Sequence, residues 1–356
     1  MRLGRRLTGV LLALCVLGVG LLLSACGSSS STKTLKLGYV TTATHPYGLA
    51  LAEFASQVQS ASGGKLKITL LPVYSGGNDI NLLNDLKGGA VDMGSVSAVV
   101  WDTEGVNSFE ALQMPFLITN YKLEGAVLAS PIQQEMLAGT AALGLHGLAI
   151  HEGGLRKPLS AGACIKTAAG FNGLKVRVPP GALITDSIAA LGAAPTPLPV
   201  SDVYLALKQG TVNAMEANYG LVYTNKYYEV AKCITGNVNF WPFPTVLSMN
   251  NKTWKGLSSA EQGWVATAAN KLSAESLTIV SNPASPLVPN LCKAGLKIAT
   301  ATKAELAAMA ASVQSVYTKY DAHTPTGTFV SQIKQIKAAM PPAAAPAPYP
   351  AGCAAP

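Results

Sequence analysis

Leu174-Lys175-Val176-Arg177-Val178 alternates apolar and basic residues and then runs into Pro179-Pro180, so it reads as a short half-buried strand that ends where proline cannot extend a ladder. The surrounding sequence keeps the same grammar. Upstream, the apolar run from Leu145 to Ile150 is a strand that breaks at Gly153-Gly154 just before Arg156. Downstream, Ser201-Asp202 starts a helix that Gly210 ends, and Val212 to Ala217 is short and extended. Near the start, Leu35, Leu37 and Tyr39 alternate with Lys36 and Gly38. A turn through His45-Pro46 then leads to a helix with Leu51, Phe54, Ala55 and Val58 on one face. Gly63-Gly64 ends it, Leu66, Ile68 and Leu70 form the next strand, and Asn78 or Asp79 can cap a helix carrying Ile80, Leu83 and Leu86 before a strand from Val91 to Val96. A capping box from Ser258 to Glu261 opens a long Ala-rich helix reaching about Val280, and a second box, Thr302 to Glu305, opens another. Strands alternating with helices throughout, with no fixed-period repeat, make an α/β fold with central sheets the economical assignment.

Arginine is scarce. Beyond the first 26 residues the chain keeps 21 lysines but only Arg156 and Arg177. Lysine supplies the ordinary surface charge, so a position that keeps a planar guanidinium has use for its five fixed donors, and a carboxylate is the matching guest. Both arginines sit near strand ends, where α/β proteins bind ligands. The plainer alternative is a pair of surface ion pairs, with Glu152 as the local partner of Arg156.

Arg2, Arg5 and Arg6 precede an uncharged run from Thr8 to Leu23 and the small residues around Cys26, the pattern of a secretory signal peptide. The run is too short for a membrane span. Ser24-Ala25-Cys26 resembles a bacterial lipobox, in which the cysteine is acylated and becomes the mature N-terminus. Acyl chains contribute about 0.8 kcal/mol per buried methylene and would hold a soluble domain on the outer face of the membrane. The Ser-rich stretch that follows is a tether. Removing the three leader arginines from 26 basic residues leaves 23 against 18 acidic ones, a modest excess that suits an anionic ligand. No basic run with interleaved aromatics points to nucleic acid. Cys15 leaves with the leader and Cys26 goes to lipid. Cys164, Cys233, Cys292 and Cys353 remain in an oxidising compartment, and of the three possible pairings, Cys164 with Cys233 and Cys292 with Cys353 keep each bridge within one chain region. The second would pin the Pro/Ala-rich tail, which otherwise has little to pack.

Three stretches in order, Gly173-Leu174-Lys175-Val176-Arg177-Val178-Pro179, Leu191-Gly192-Ala193-Ala194-Pro195-Thr196-Pro197-Leu198 and Ser201-Asp202-Val203-Tyr204-Leu205-Ala206-Leu207-Lys208-Gln209-Gly210, resemble the solute-binding subunit of tripartite ATP-independent periplasmic (TRAP) transporters. Gly88 to Gly94, Met114 to Leu117, Gly153 to Arg156 and Asn225 to Val230 add weaker support. The resemblance implies a periplasmic-binding-protein fold: two α/β lobes around a cleft, joined by crossing strands and a long spanning helix, for which the Ser258 helix is the candidate. It divides the chain into a signal peptide (1–25), a tether (26–33), lobe I (34–154 plus 243–282), lobe II (155–242 plus 283–340) and a tail (341–356). It also implies that Arg177 clamps a substrate carboxylate with Arg156 assisting, that lobe closure captures a small organic acid, and that the partners are ion-gradient-driven membrane permease subunits. No cofactor, metal or catalysis is implied.

Two departures bear on the site. The family's ligand-contacting Asn falls on Ala217, so Asn218 is its substitute after a one-residue shift, beside Glu216. An aromatic often found before the Ser201 helix is Val200 here, which argues against a bulky sugar acid that needs that ring. Trp101, Tyr47 and Tyr39 follow first-lobe strands where they could floor a pocket, with Ser97 as a hydroxyl donor, although aromatics of this kind are more often core. Phe240 and Trp241 read as hinge packing. His146 and His151, five apart on one strand, should point to opposite faces and share no ion, and His151 reads as a solvated strand-end histidine. No nucleophile elbow, zinc motif or phosphate loop appears, which disfavours an extracytoplasmic hydrolase. A ligand sensor, or a receptor for an ATP-driven importer, remains the alternative on the same fold.

Overall fold

The computed structural model describes residues 32–342 and 349–355. The leader, Cys26 and most of the Ser-rich tether lie outside the described residues. The chain begins β1 (Lys33–Tyr39), α1 (Pro46–Ala61), β2 (Leu66–Leu71), α2 (Asp79–Gly88) and β3 (Met93–Ser97). Two 3-10 segments, Ala98–Glu104 and Asn107–Gln113, lead through α3 (Tyr121–Leu128) and α4 (Ile132–Ala138) to β4 (Leu145–Glu152). Then come β5 (Lys157–Ser160), β6 (Lys175–Val178), α5 (Ala182–Ala190), β7 (Ala194–Pro197), α6 (Val203–Lys208), β8 (Ala214–Ala217), α7 (Tyr219–Thr224) and β9 (Cys233–Thr235). The chain continues with β10 (Pro244–Asn250), α8 (Asn251–Lys255) and α9 (Ser259–Val280). It closes with α10 (Leu287–Lys293), β11 (Lys297–Ala299), α11 (Lys303–Ser312), α12 (Gln314–Tyr320) and α13 (Thr326–Ala339).

These strands form two mixed sheets, ordered β2-β1-β3-β10-β4 and β11-β9-β5-β8-β6-β7. In the first, β1 pairs parallel with β2 and β3, while β10 runs antiparallel between β3 and β4. The chain passes between the sheets from β4 to β5, returns from β9 to β10, and crosses again after α9. The α/β reading with two sheets therefore holds, and every strand predicted around Arg156 and Arg177 is present. One expectation fails. The β10–β4 register slips between Leu247 and Ser248, so Met249 sits opposite His146 and Thr245 opposite His151. Met249 and Thr245 share a face of β10, and residues directly opposite each other share a face of the sheet, so the bulge at Leu148 returns both histidines to the same side. Simple alternation misses the extra residue.

Helix α9 has the predicted start: the Ser258 side chain accepts from Glu261 N, and the Glu261 side chain accepts from Ser258 N. Its buried residues, Val265, Ala268, Ala269, Leu272, Ser273 and Ser276, recur at helical spacing and lie against α1 and β4. Small residues let the helix approach the strand, and Ser273 Oγ donates to Ile150 O at 2.6 Å. Burying Val265 and Leu272 contributes about 1.5–3 kcal/mol each. Helix α13 packs against the 107–113 segment and α3. Cys164 is joined to Cys233 with Cα atoms 5.2 Å apart, and Cys292 to Cys353 with Cα atoms 5.0 Å apart. Each closes a loop of a size that constrains the unfolded chain by about 4 kcal/mol in the chain-entropy treatment. The end of the tail packs more than its composition suggests: Ala355 N donates to Ile298 O, extending the second sheet beyond β11, and Tyr349 packs near Tyr219.

Candidate functional site

The two crossing segments are stitched together: Arg156 N donates to Trp241 O at 2.8 Å, Phe240 N to Arg156 O at 2.9 Å, and Gly153 N to Phe243 O at 3.1 Å. A narrow cleft opens beside them. Thr41, Asp79, Ser97 and Gln113 line it from the side of the first sheet, Arg156, Arg177, Glu216, Pro179 and Val200 from the side of the second, and Trp241 and Phe243 lie where the strands cross. Its cavity volume is about 30 Å³, room for a water or two.

Both arginines are buried, each 3% exposed, which removes the surface ion-pair alternative. Their shared anchor is Glu216, projected from β8. Arg156 grips it with Nε and, at 2.6 Å, with Nη2, which also donates to the Glu216 carbonyl at 2.9 Å. The Arg156 guanidinium stacks over Phe243, 4.7 Å from the ring centroid. Arg177, on β6 between β8 and β7, commits Nε and Nη2 to Leu198 O at 2.9 and 2.7 Å, while its Nη1 lies 3.9 Å from Glu216. Burial pulls the Arg177 pKa down, and Glu216 opposes that shift. Arg156 Nη1 is buried with no partner. One carboxylate thus compensates two guanidiniums, and a buried donor is left for a second anion.

The facing wall supplies groups of the opposite kind. Asp79 is the first residue of α2, and Asn78 rather than Asp79 is the cap, accepting from Ile80 N and Asn81 N. Freed from capping, the half-buried Asp79 side chain turns into the cleft, where Oδ1 accepts from Ser97 N at 2.9 Å. Burial pushes its pKa up to about 6, against the pull of Ser97 N, Arg177 and Arg156. Ser97 Oγ is buried without a partner. Asp79, Gln113, Trp241 and Phe243 are cleft residues that sequence reasoning did not single out. Asp79 read as a possible cap, Trp241 read as hinge packing only, and Phe243 drew no reading.

Of the residues singled out for the site, Arg156, Arg177, Glu216 and Ser97 meet in the cleft, and four others do not. Asn218 caps α7, its Oδ1 accepting from Leu221 N at 2.8 Å, and lines a separate groove behind the crossing with Lys157 and Tyr219. Helix capping holds the side chain there, and a Cβ on Gly154, whose φ is 124°, would lie 2.9 Å from Asn218 Cβ. Tyr39 packs edge-on against Tyr47, ring centroids 5.8 Å apart. Tyr47 is fully buried, and its hydroxyl accepts from Thr41 N at 3.2 Å, so it props the cleft wall without facing the cleft. Trp101 is buried against Phe109. Each ring gains more from covering apolar core than from edging a narrow polar slot.

His151 is not solvated. It is fully buried between Ser95 and Thr245, whose hydroxyls lie 2.8 Å from Nε2, and burial drives its pKa down to about 3. His45 behaves alike, with Nε2 3.3 Å from Asn218 Oδ1. His146 stacks on Trp254, away from both. Among the described residues no group of three or more His, Cys, Asp or Glu is placed to hold a metal. Glu152, the local partner suggested for Arg156, instead ties the crossing strands together. It accepts from Phe243 N at 3.0 Å and from Gly154 N, and meets Glu124 carboxyl to carboxyl. Burial and mutual repulsion push Glu124 well up. Lys157, one residue after Arg156 and on the other side of the strand, is lowered to about 7 by burial.

The chain matches the family model of bacterial extracellular solute-binding proteins, family 7, over residues 37–323. It is 26% identical over 280 residues to the 2,3-diketo-L-gulonate-binding periplasmic protein of Escherichia coli K12, covering 77% of this chain and 83% of that one. The structure resembles a TRAP periplasmic solute-binding protein of Bradyrhizobium sp. BTAi1 in complex with α/β-D-galacturonate, with TM-score 0.79, 29% identity, 85% of this chain and 100% of that one. It also resembles the sugar acid binding protein of Advenella mimigardefordensis in complex with galactonate, with TM-score 0.81, 25% identity, 87% of this chain and 99% of that one. Two sheets around a slot, a pair of buried guanidiniums at its end and a match over most of the chain agree: this protein belongs to family 7 of the bacterial extracellular solute-binding proteins, the solute-binding family of TRAP transporters.

Proposed function

We propose that this chain is an extracytoplasmic receptor, lipid-anchored through Cys26, that captures a small organic carboxylate between its two sheet-bearing halves and delivers it to a TRAP-type permease. The observation that carries the reading is the unpartnered, buried Arg156 Nη1 in a cleft that Arg177 also lines, with Glu216 already compensating one positive charge. A ligand carboxylate supplies the missing acceptor, as a charge-assisted pair in a dry site. A cavity of about 30 Å³ does not admit a multi-carbon acid, so uptake requires the halves to part and close again, and the ligand stabilises the closed form by binding it better.

The far wall narrows the guest. Ionised Asp79 accepts hydrogen bonds and repels a second carboxylate, while Ser97 Oγ and Gln113 offer polar contacts along the way. A hydroxylated monocarboxylate fits this arrangement better than a dicarboxylate. The relatives that hold galacturonate, galactonate and diketogulonate bind acids of this class. Val200 puts an aliphatic rather than an aromatic side chain on its stretch of the wall.

Native mass spectrometry of gently purified protein, followed by calorimetry with galactonate, galacturonate, diketogulonate and succinate, tests the proposal. A co-purified acid, or a hydroxy acid bound in the micromolar range or tighter, supports it; no acid adduct and no heat with any of the four overturns it.

A further inference from the structure

We infer that Asp102 is a positioning residue that holds the cleft shut by capping the N-terminus of α5 from the opposite lip. Asp102 lies in the 3-10 segment directly after β3 of the first sheet, and α5 directly follows β6 of the second. Its Oδ2 accepts from Ala182 N at 2.8 Å, and the Leu183 amide faces the same carboxylate.

Helix α5 has no cap of its own. Gly181 occupies the N-cap position and makes no side-chain hydrogen bond. Nine residues of helix thus present free amides and the positive end of the dipole to whatever stands opposite, and a carboxylate from the other half is the complement. The glycine also permits the approach, since a Cβ there would lie 2.5 Å from Val99 Cγ2 and 2.7 Å from Val99 O. Val99 and Pro179 both line the cleft, so the Asp102–α5 contact closes one of its lips. Elsewhere on the rim, a Cβ added to Gly77 would lie 2.8 Å from Cγ1 of Val200, which also lines the cleft.

The contact lies at the rim, with Asp102 partly buried and Ala182 exposed. Burial pushes the Asp102 pKa up to about 6, with Glu110 adding in the same direction and the Ala182, Leu183 and Thr103 amides opposing. When the halves part, carboxylate and helix end both return to water, so the interaction belongs to the closed form alone. It rests on the reading of capture by closure, but reports on the lip and not on the ligand.

Amide hydrogen exchange and small-angle scattering on the full chain, wild type against Asp102→Ala and Asp102→Asn, test it without ligand. The alanine variant should speed exchange at Ala182 and Leu183 roughly tenfold or more and enlarge the radius of gyration. The asparagine variant, which keeps an acceptor oxygen, should fall between. Fast exchange at both amides in the wild type overturns the inference. So does unchanged exchange in Asp102→Ala, faster exchange without a change in radius, or equal loss of protection in β6. Acid binding at Arg177 is read separately by calorimetry, so a failed latch leaves the receptor proposal standing.

Discussion

Glu216 Oε1 lies 2.6 Å from Arg156 Nη2 and 3.9 Å from Arg177 Nη1, so a single buried carboxylate sits between Arg156 and Arg177. It positions both forks and compensates one charge. One donor of the pair, Arg156 Nη1, is left buried without a partner.

Removing that bridge should be costly. Glu216→Gln removes the carboxylate that bridges two desolvated guanidiniums, and breaking a buried pair from one side costs about 3–5 kcal/mol. Urea unfolding followed by tryptophan fluorescence should show a lower midpoint with an unchanged slope; an unaltered midpoint would show that the bridge contributes nothing to folding.

Arg177→Lys should weaken binding of the cognate acid at least about tenfold, about 1.4 kcal/mol. A point charge can replace neither the Leu198 anchor made by Nε and Nη2 nor the planar edge offered to a carboxylate. Calorimetry reads it directly, and equal affinity would remove Arg177 from the site.

Asp79 should govern discrimination between acids. With its pKa at about 6, it is mostly ionised at pH 8 and mostly protonated at pH 5, so succinate should bind better as pH falls through 6. Asp79→Asn should strengthen succinate at pH 8 and flatten that dependence, while weakening galactonate by roughly the value of one charge-assisted hydrogen bond, about 1.5–3 kcal/mol. A parallel change for both acids would contradict the assignment.

The buried histidines set an acid limit. His45 and His151 fall to about 3 in the folded protein and titrate near 6.5 when unfolded, so between these values the unfolded chain binds more protons. Their contribution is therefore complete above pH 6.5 and declines as pH drops towards 3. Asp79 and Asp102, both raised to about 6, act in the reverse sense, adding stability as pH falls from 6 towards 4. His151→Gln, which keeps a polar side chain without the titration, should flatten the acid limb of a plot of urea midpoint against pH; an unaltered limb would assign acid sensitivity elsewhere.

Much of the layout was legible because its causes are local. Alternation marked β1, β2 and β6, the Ser258–Glu261 and Thr302–Glu305 boxes marked α9 and α11, and the scarcity of arginine drew attention to Arg156 and Arg177. The rest depended on direction. Asp79 and Asn78 are equally good caps on paper, and only the turn of α2 against β3 sends one to the helix end and the other into the cleft. One extra residue in β4 reversed the face expected for a histidine. Asn218 had the right chemistry for a ligand contact, but the end of β8 gave it a helix to cap.

By itself, the order of residues determined which segments are strands and helices, where they stop, and that this chain carries two guanidiniums suited to an anion, because those properties follow from neighbours a few positions apart. The tertiary structure alone decided which side chains share the cleft. Arg156 and Glu216 are 60 positions apart in sequence, and Asp102 and Ala182 are 80 apart. Such pairs meet only when sheet register and chain crossings bring them together, because the few residues around each one encode nothing about a partner so far along the chain.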